Sequence, residues 1–266
     1  MSLTIDPEAV IQAVRSQVSR ALEAQTPAAT RKSDGSWVTQ VDLDIQHGLQ
    51  SWLGRHYPET GFLGEEMSPD RQQAALAEDR PVWVLDPLDG TSNFRMGLPA
   101  YATSLALLER GQPVFGLVHD PCRNETFSAR RGAGAQLNGA PMKLAPDDAP
   151  PLCEALAGVD FKRLPKALAT RLANAPPYAS QRSIGSIALE WCWVATGRFA
   201  VYVHGRQGLW DYAAGQLILS EAGGHFATLT GPASDTLDLR PRSAVCAASP
   251  DLMREWQAWL RLISSP

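Results

Sequence analysis

Acidic side chains recur at four places in this chain where their neighbours give them something to do: Asp42, the pair Glu65-Glu66, Asp86 with Asp89, and Asp211. The stretch Trp83-Val84-Leu85-Asp86-Pro87-Leu88-Asp89-Gly90-Thr91 is the most informative. A short apolar strand ends in a carboxylate, a proline fixes the turn, and a second carboxylate follows. Gly90 lets backbone approach a ligand closely, and Thr91 supplies a hydroxyl. The amides of Gly90 and Thr91 would open a short helix, and a helix start attracts phosphate through its unpaired N–H groups and its dipole. Two carboxylates beside an anion repel it unless cations sit between them. Hard oxygen donors next to an oxyanion favour Mg²⁺, and two such ions about 4 Å apart can hold both the attacking and the leaving oxygen of a displacement. Taken singly, the acids have plainer readings. Asp-Pro and Asp-Gly are common turn dipeptides, Asp42 can cap a helix, Glu65 and Glu66 can be solvated loop acids, and Trp210-Asp211 can be a helix N-cap beside a packed indole.

The elements that must position these residues follow from periodicity and punctuation. Asp6-Pro7 opens a helix whose apolar face is Val10, Ile11, Val14, Val18 and Leu22, with Pro27 beyond its end. Residues 31–36 read as a loop. Thr39-Gln40-Val41-Asp42 is a capping signal for a second helix bearing Ile45, Leu49, Trp52 and Leu53. Val82 to Leu85 is a strand. From Tyr101 to Leu137 four strands follow at close spacing, at 102–108, 114–119, 126–129 and 133–137, with a tight turn at Asn138-Gly139, so an antiparallel sheet is expected. The Pro- and Asp-rich stretch 145–151 divides the chain into an N-terminal half (1–148) with most of the acids and a C-terminal half (149–266) carrying Asp211. The second half alternates helix and strand: helices at 186–196 and 212–221, strands at 199–203, 225–228 and 244–247, and a last helix capped by Ser249-Pro250-Asp251. Trp191-Cys192-Trp193 reads as core or subunit packing.

Composition bounds the class. The 266 residues suffice for one large domain or two joined halves. A net charge of -4 leaves no basic footprint for nucleic acid. No apolar run reaches membrane-spanning length, and the N-terminus lacks the basic and apolar regions of a signal peptide. The four cysteines, none in CxxC spacing, read as free thiols of a cytoplasmic protein. His47, His56, His119 and His225 follow no metal-ligand spacing.

Together the segments resemble the inositol monophosphatase family. The matching pieces are Val38 to Asp42, Gly64-Glu65-Glu66, Trp83 to Phe94, and Leu209-Trp210-Asp211-Tyr212-Ala213-Ala214-Gly215 continuing to Gly224, with Ala129 to Ala135 and Gly185-Ser186 as secondary matches. The resemblance implies a layered α/β/α/β/α sandwich of the inositol monophosphatase/fructose bisphosphatase kind. It implies two to three Mg²⁺ ions: Glu65, Asp86 and the carbonyl of Leu88 on the first, Asp86, Asp89 and Asp211 on the second, and Glu65 through water on a third. Gly90 and Thr91 would present amides to phosphate, Asp42 and the Thr91 hydroxyl would orient and deprotonate the attacking water, and Asp89, Gly185 and Ser186 would line the substrate position. Lys32 matches a lysine near a loop over the site. The family's glutamate seven residues before the last metal ligand is here His204, in the more basic loop Val203-His204-Gly205-Arg206. That departure puts inositol itself in doubt and makes His204 and Arg206 candidates for reading a second anionic group or a different polyol.

The expected function is Mg²⁺-dependent hydrolysis of a small phosphate monoester, inositol-1-phosphate or a related polyol or sugar phosphate, by a lithium-sensitive homodimer. Histidinol phosphate, a sugar bisphosphate or a 3'-phosphonucleotide are the alternative substrates. The alternative of another class is a non-catalytic regulatory protein on the same fold.

Overall fold

Two large β-sheets alternate with α-helices in layers in the computed structural model, which describes residues 3–24, 29–31, 37–145, 148–234 and 236–261. Lys32 and Pro27 lie outside the described residues. Helices α1 (Pro7–Glu23) and α2 (Gln40–His56) form the first layer. Asp6 caps α1 through the amides of Glu8 and Ala9, and Thr39 caps α2. Between the two helices lies a small hairpin, β1 (Ala29–Arg31) with β2 (Trp37–Thr39), which occupies the flanks of the expected loop.

The second layer is a seven-stranded sheet in simple sequence order: β3 (Gly61–Gly64), β4 (Val82–Asp89), β5 (Ala102–Glu109), β6 (Gln112–Asp120), β7 (Glu125–Arg130), β8 (Gly134–Leu137) and β9 (Ala140–Met142). All neighbours are antiparallel except β3 and β4, which are parallel and joined by α3 (Pro69–Ala77). The strand period of two splits β4 between two cores. Trp83 and Leu85 face Val10, Val14, Ile45 and Leu49 of α1 and α2, whereas Val82 and Val84 face the opposite side. A sheet covered on both faces reads as a continuous apolar run, as Val82 to Leu85 does.

The helix α4 (Thr91–Arg95) follows β4. The second sheet has the order β11-β10-β12-β14-β13, built from β10 (Leu156–Val159), β11 (Ser180–Arg182), β12 (Val201–Gln207), β13 (His225–Ala227) and β14 (Arg242–Ala247). β10, β11 and β12 are parallel, and β12, β14 and β13 pair antiparallel. Helices α6 (Ile187–Ala195) and α7 (Leu209–Glu221) are clamped between the two sheets in one core with Val84, Ala106, Tyr202 and Cys246. Helices α5 (Lys166–Asn174) and α8 (Pro250–Arg261) close the outer face over Val159, Val203 and Val245. The layers therefore run α/β/α/β/α, as the family resemblance implied. Strands β3, β10 and β11 and helices α3 and α5 are additions to that reading.

Burial between two sheets explains why α7 is apolar nearly all round. It also explains Gly215: a Cβ there would lie 2.5 Å from Cβ of Trp191, so α6 and α7 approach at backbone distance. The four cysteines are unpaired. Among the described residues no helix is long and apolar enough to cross a membrane.

Candidate active site

Asp86 and Asp89 sit three apart on one strand, a spacing that in a regular strand sends side chains to opposite faces. The pairing of β4 with β5 shifts register between Asp86 and Asp89. Pro87, which has no amide hydrogen, falls inside the irregularity, and the Thr103 hydroxyl secures it by donating to the Pro87 carbonyl at 2.7 Å. A bulge adds one residue and re-aims the side chains beyond it, which brings both carboxylates to the face that meets α7. There Asp211, in the first turn of α7, supplies the third acid. One carboxylate oxygen from each of Asp86, Asp89 and Asp211 lies within 4.8 Å of the others.

Each acid is held by its own local device. The Leu88 amide donates to Asp86 Oδ1 at 3.1 Å. Asp89 Oδ2 accepts from the Ser186 hydroxyl at 2.7 Å and from the Ala188 amide at 2.6 Å, so the start of α6 grips it from the second half of the chain. Asp211 Oδ2 accepts from the Gly208 amide at 2.7 Å, closing the first turn of α7, and is not the N-cap itself. Glu65 follows β3. Its amide donates to the Leu85 carbonyl at 3.0 Å, its own carbonyl accepts from Gln72 Nε2 at 3.1 Å, and its carboxyl adjoins Asp86 and raises its pKa.

The four acids make one electrostatic unit. Asp86 is raised well above the carboxylate range, first by burial, then by the charges of Glu65, Asp89 and Asp211. Asp211 is raised in the same way, burial first and then Asp89 and Glu65. Burial pushes Asp89 up to about 6, against the lowering effect of its bonds from Ser186 and α6. Buried carboxylates this close cannot all ionise by themselves. An all-oxygen donor set whose ionisation needs compensating positive charge fits a hard divalent cation such as Mg²⁺.

Beside the acids, Thr91 Oγ1 donates to the Leu88 carbonyl at 3.0 Å and lies 3.3 Å from Asp42 Oδ1. Asp42 is fully buried, and the Thr39 amide donates to its Oδ2 at 2.8 Å. It thus completes the capping box of α2 with one oxygen and faces Thr91 with the other, so the capping reading and the functional reading are compatible. Gly90 has φ +97°, and a Cβ there would lie 2.8 Å from the Ala100 carbonyl oxygen. Only glycine turns the chain from β4 into α4 at this point.

Two expectations need correction. Ser186 is fully buried and gives its hydroxyl to Asp89, so it orients an acid and does not itself face a substrate. Gly185, beside it, is exposed. His204 is buried, with Nε2 3.0 Å from Asp160 Oδ2 and Nδ1 accepting from the Arg206 amide at 3.1 Å. Both ring nitrogens are engaged by the protein, so the ring cannot read a substrate group. The Arg206 side chain is exposed. Residues not singled out from sequence also shape the site: Gln72 on the Glu65 turn, Gln46 accepting from the Glu66 amide at 3.2 Å, and Thr103. Lone glutamines and threonines carry no local spacing signal that would have marked them.

A layered sandwich with convergent acids between its sheets is the arrangement of a metal-dependent phosphatase fold. A solved structure described as an IMPase/NADP phosphatase complexed with Mg²⁺ and phosphate superposes with a TM-score of 0.79 at 26% identity, over 93% of this chain and 92% of that one. The chain belongs to the inositol monophosphatase family, whose sequence profile matches residues 6–263. Inositol monophosphatase 1 of Solanum lycopersicum is 34% identical over 245 residues, 90% of this chain and 87% of that protein. Nus factor SuhB of Xylella fastidiosa is 35% identical over 219 residues, 80% of this chain and 77% of that protein.

Proposed function

We propose that the protein hydrolyses a small phosphate monoester with Mg²⁺, inositol-1-phosphate or a related polyol or sugar phosphate. The observation that carries this reading is the convergence of Asp86, Asp89 and Asp211 from both halves of the chain onto one buried point. Glu65, Asp86 and the Leu88 carbonyl would hold one ion, and Asp86, Asp89 and Asp211 a second, with Glu65 near any third. When bound, such ions neutralise phosphate charge and acidify water.

The chain's own groups do the rest. Thr91 Oγ1 sits between the Leu88 carbonyl and Asp42, so it can take a proton from an attacking water while passing its own to Asp42. The Thr39 amide keeps Asp42 oriented as the acceptor. The amides of Gly90 and Thr91 would present donors to the phosphate, and no covalent phosphoenzyme is needed. Catalysis is then mainly positioning and charge neutralisation.

The test is a panel of inositol-1-phosphate, histidinol phosphate, fructose 1,6-bisphosphate and 3'-phosphoadenosine 5'-phosphate, scored by phosphate release with Mg²⁺, with and without lithium. Lithium-sensitive release on a polyol or sugar monophosphate is expected. No release from any of them sinks the phosphatase reading.

A second reading, a substrate with two anionic groups, is favoured by the exposed Lys162 and Arg163 after β10 and the exposed Arg206 near the end of the parallel strand β12. Ligands of such sheets gather at these carboxyl ends. Preference for the bisphosphates in the same panel would select it. The likeness to a protein named Nus factor SuhB keeps a regulatory role as a third reading, which partner binding without any phosphate release would select.

A further inference from the structure

Glu190 is a buried carboxyl that the proposed chemistry leaves unused. It lies on α6 at 1% exposure, and burial pushes it up to about 8. Its Oε1 accepts from the Ile184 amide at 2.8 Å. The Ile184 carbonyl is held from the opposite side, where Asn93 Nδ2 on α4 donates to it at 2.8 Å while also donating to the Ala100 carbonyl at 2.7 Å. Ile184 is therefore gripped at both ends of its backbone, two residues before Ser186, which with Ala188 holds Asp89.

The same carboxyl reaches toward the other acid. The Tyr202 hydroxyl adjoins Glu190 and favours its ionised form against the effect of burial. Gln207 Nε2 donates to the Tyr202 oxygen at 2.9 Å, and Trp191 Nε1 donates to Gln207 Oε1 at 3.1 Å. Gln207 directly precedes Gly208, whose amide holds Asp211. Buried polar groups clustered around Glu190 and Tyr202 thus underlie the mounts of two acids, Asp89 on β4 and Asp211 on α7.

We propose that Glu190 is a positioning residue for the Asp89–Asp211 cation position, fixing the 184–188 segment against Asp89 and, through Tyr202 and Gln207, the first turn of α7. The proposal rests on the metal-dependent reading above. It assigns Glu190 no contact with substrate or ion. Partners at one remove from a metal orient its ligands, and their loss weakens binding. A buried network is most effective when every member is satisfied.

The test uses the full chain, with Mn²⁺ as the probe followed by calorimetry and with amide hydrogen exchange at 184–188 read on the same samples. Glu190→Asp withdraws the acceptor from Ile184. It should weaken Mn²⁺ binding about tenfold and speed exchange at Ile184 and Ala188. Glu190→Gln keeps an oxygen in reach and should stay within about threefold of the parent. Asn93→Ala should weaken binding from the α4 side, and its combination with Glu190→Asp should be less than additive, because both act on one segment. A folded Glu190→Asp protein with parental affinity and parental exchange overturns the proposal, and so do equal losses in the Asp and Gln variants. If the parent binds no Mn²⁺, the metal reading itself fails, and exchange at Ala188 in Glu190→Asp still decides whether Glu190 positions the segment.

Discussion

At the scale of single residues, the site is a set of closely packed carboxylates that burial and mutual charge push above their ordinary pKa. Asp89 carries two short bonds from α6 that would survive its conversion to an amide only in part, and the amide oxygen is a weaker cation ligand. Asp89→Asn should therefore lower turnover by about three orders of magnitude while circular dichroism and the unfolding transition stay near those of the parent. Near-parental turnover would remove Asp89 from its assigned role. The acids were legible in the sequence because each stands beside residues with strong local meaning: Asp86 before a proline, Asp89 before the only residue type that fits φ +97°, Asp211 after a tryptophan at a helix start. Gln46, Gln72, Thr103 and Glu190 were not legible. Their partners are backbone groups or side chains far away in sequence, and nothing near them announces the contact. His204 marks the opposite error, since a polar residue in a basic loop looked outward in the sequence and proved to be buried against Asp160.

At the scale of elements, α6 and α7 matter most, because they carry the Asp89 mount and Asp211 between the sheets. Their close approach depends on Gly215 facing Trp191. Gly215→Val should destabilise the protein by about 1–3 kcal/mol, measured by urea unfolding, and an unchanged midpoint would show that the helices can separate at little cost. Glu190 adds a pH dependence to α6. Its carboxyl stays protonated in the fold up to about 8 but ionises near its ordinary value of 4.5 once unfolded. Between those limits the folded state binds the extra proton, so stability falls as pH rises, with a slope of about 1.4 kcal/mol per pH unit for one such group. Glu190→Gln has no proton to lose and should show a flatter fall in melting temperature from pH 5 to pH 8. The strands β5 to β8 were readable because glycine, proline and Asn-Gly separate apolar runs of the right length. β3, β10 and β11 are three or four residues long, and β3 and β10 contain glycine. Their strand character comes from neighbours in the sheet, which no local pattern records.

At the scale of the whole molecule, the acids span the division between the sheets, with Glu65, Asp86 and Asp89 on the seven-stranded side and Asp211 at the head of a helix that leads away from the second sheet. A cation bound there adds its binding energy to folding, about 2.7 kcal/mol when present at a hundred times its dissociation constant. Scanning calorimetry should show the melting temperature rising by several degrees with Mg²⁺ over a chelator, as expected for a chain of this size. Asp211→Asn should lose most of that rise, and a full rise in that variant would place the cation elsewhere. The layer order was legible from the family resemblance, whereas the inward-facing pairs that join the layers were not.

The Ser104 hydroxyl on β5 donates to the Trp210 carbonyl at 3.0 Å, one residue before Asp211. That bond fastens α7 directly to the strand beside Asp86, at the spot where a cation would rivet the layers. Any cation bound at these acids would in this sense meet a prefabricated cage, whose ordering cost the chain has already met during folding.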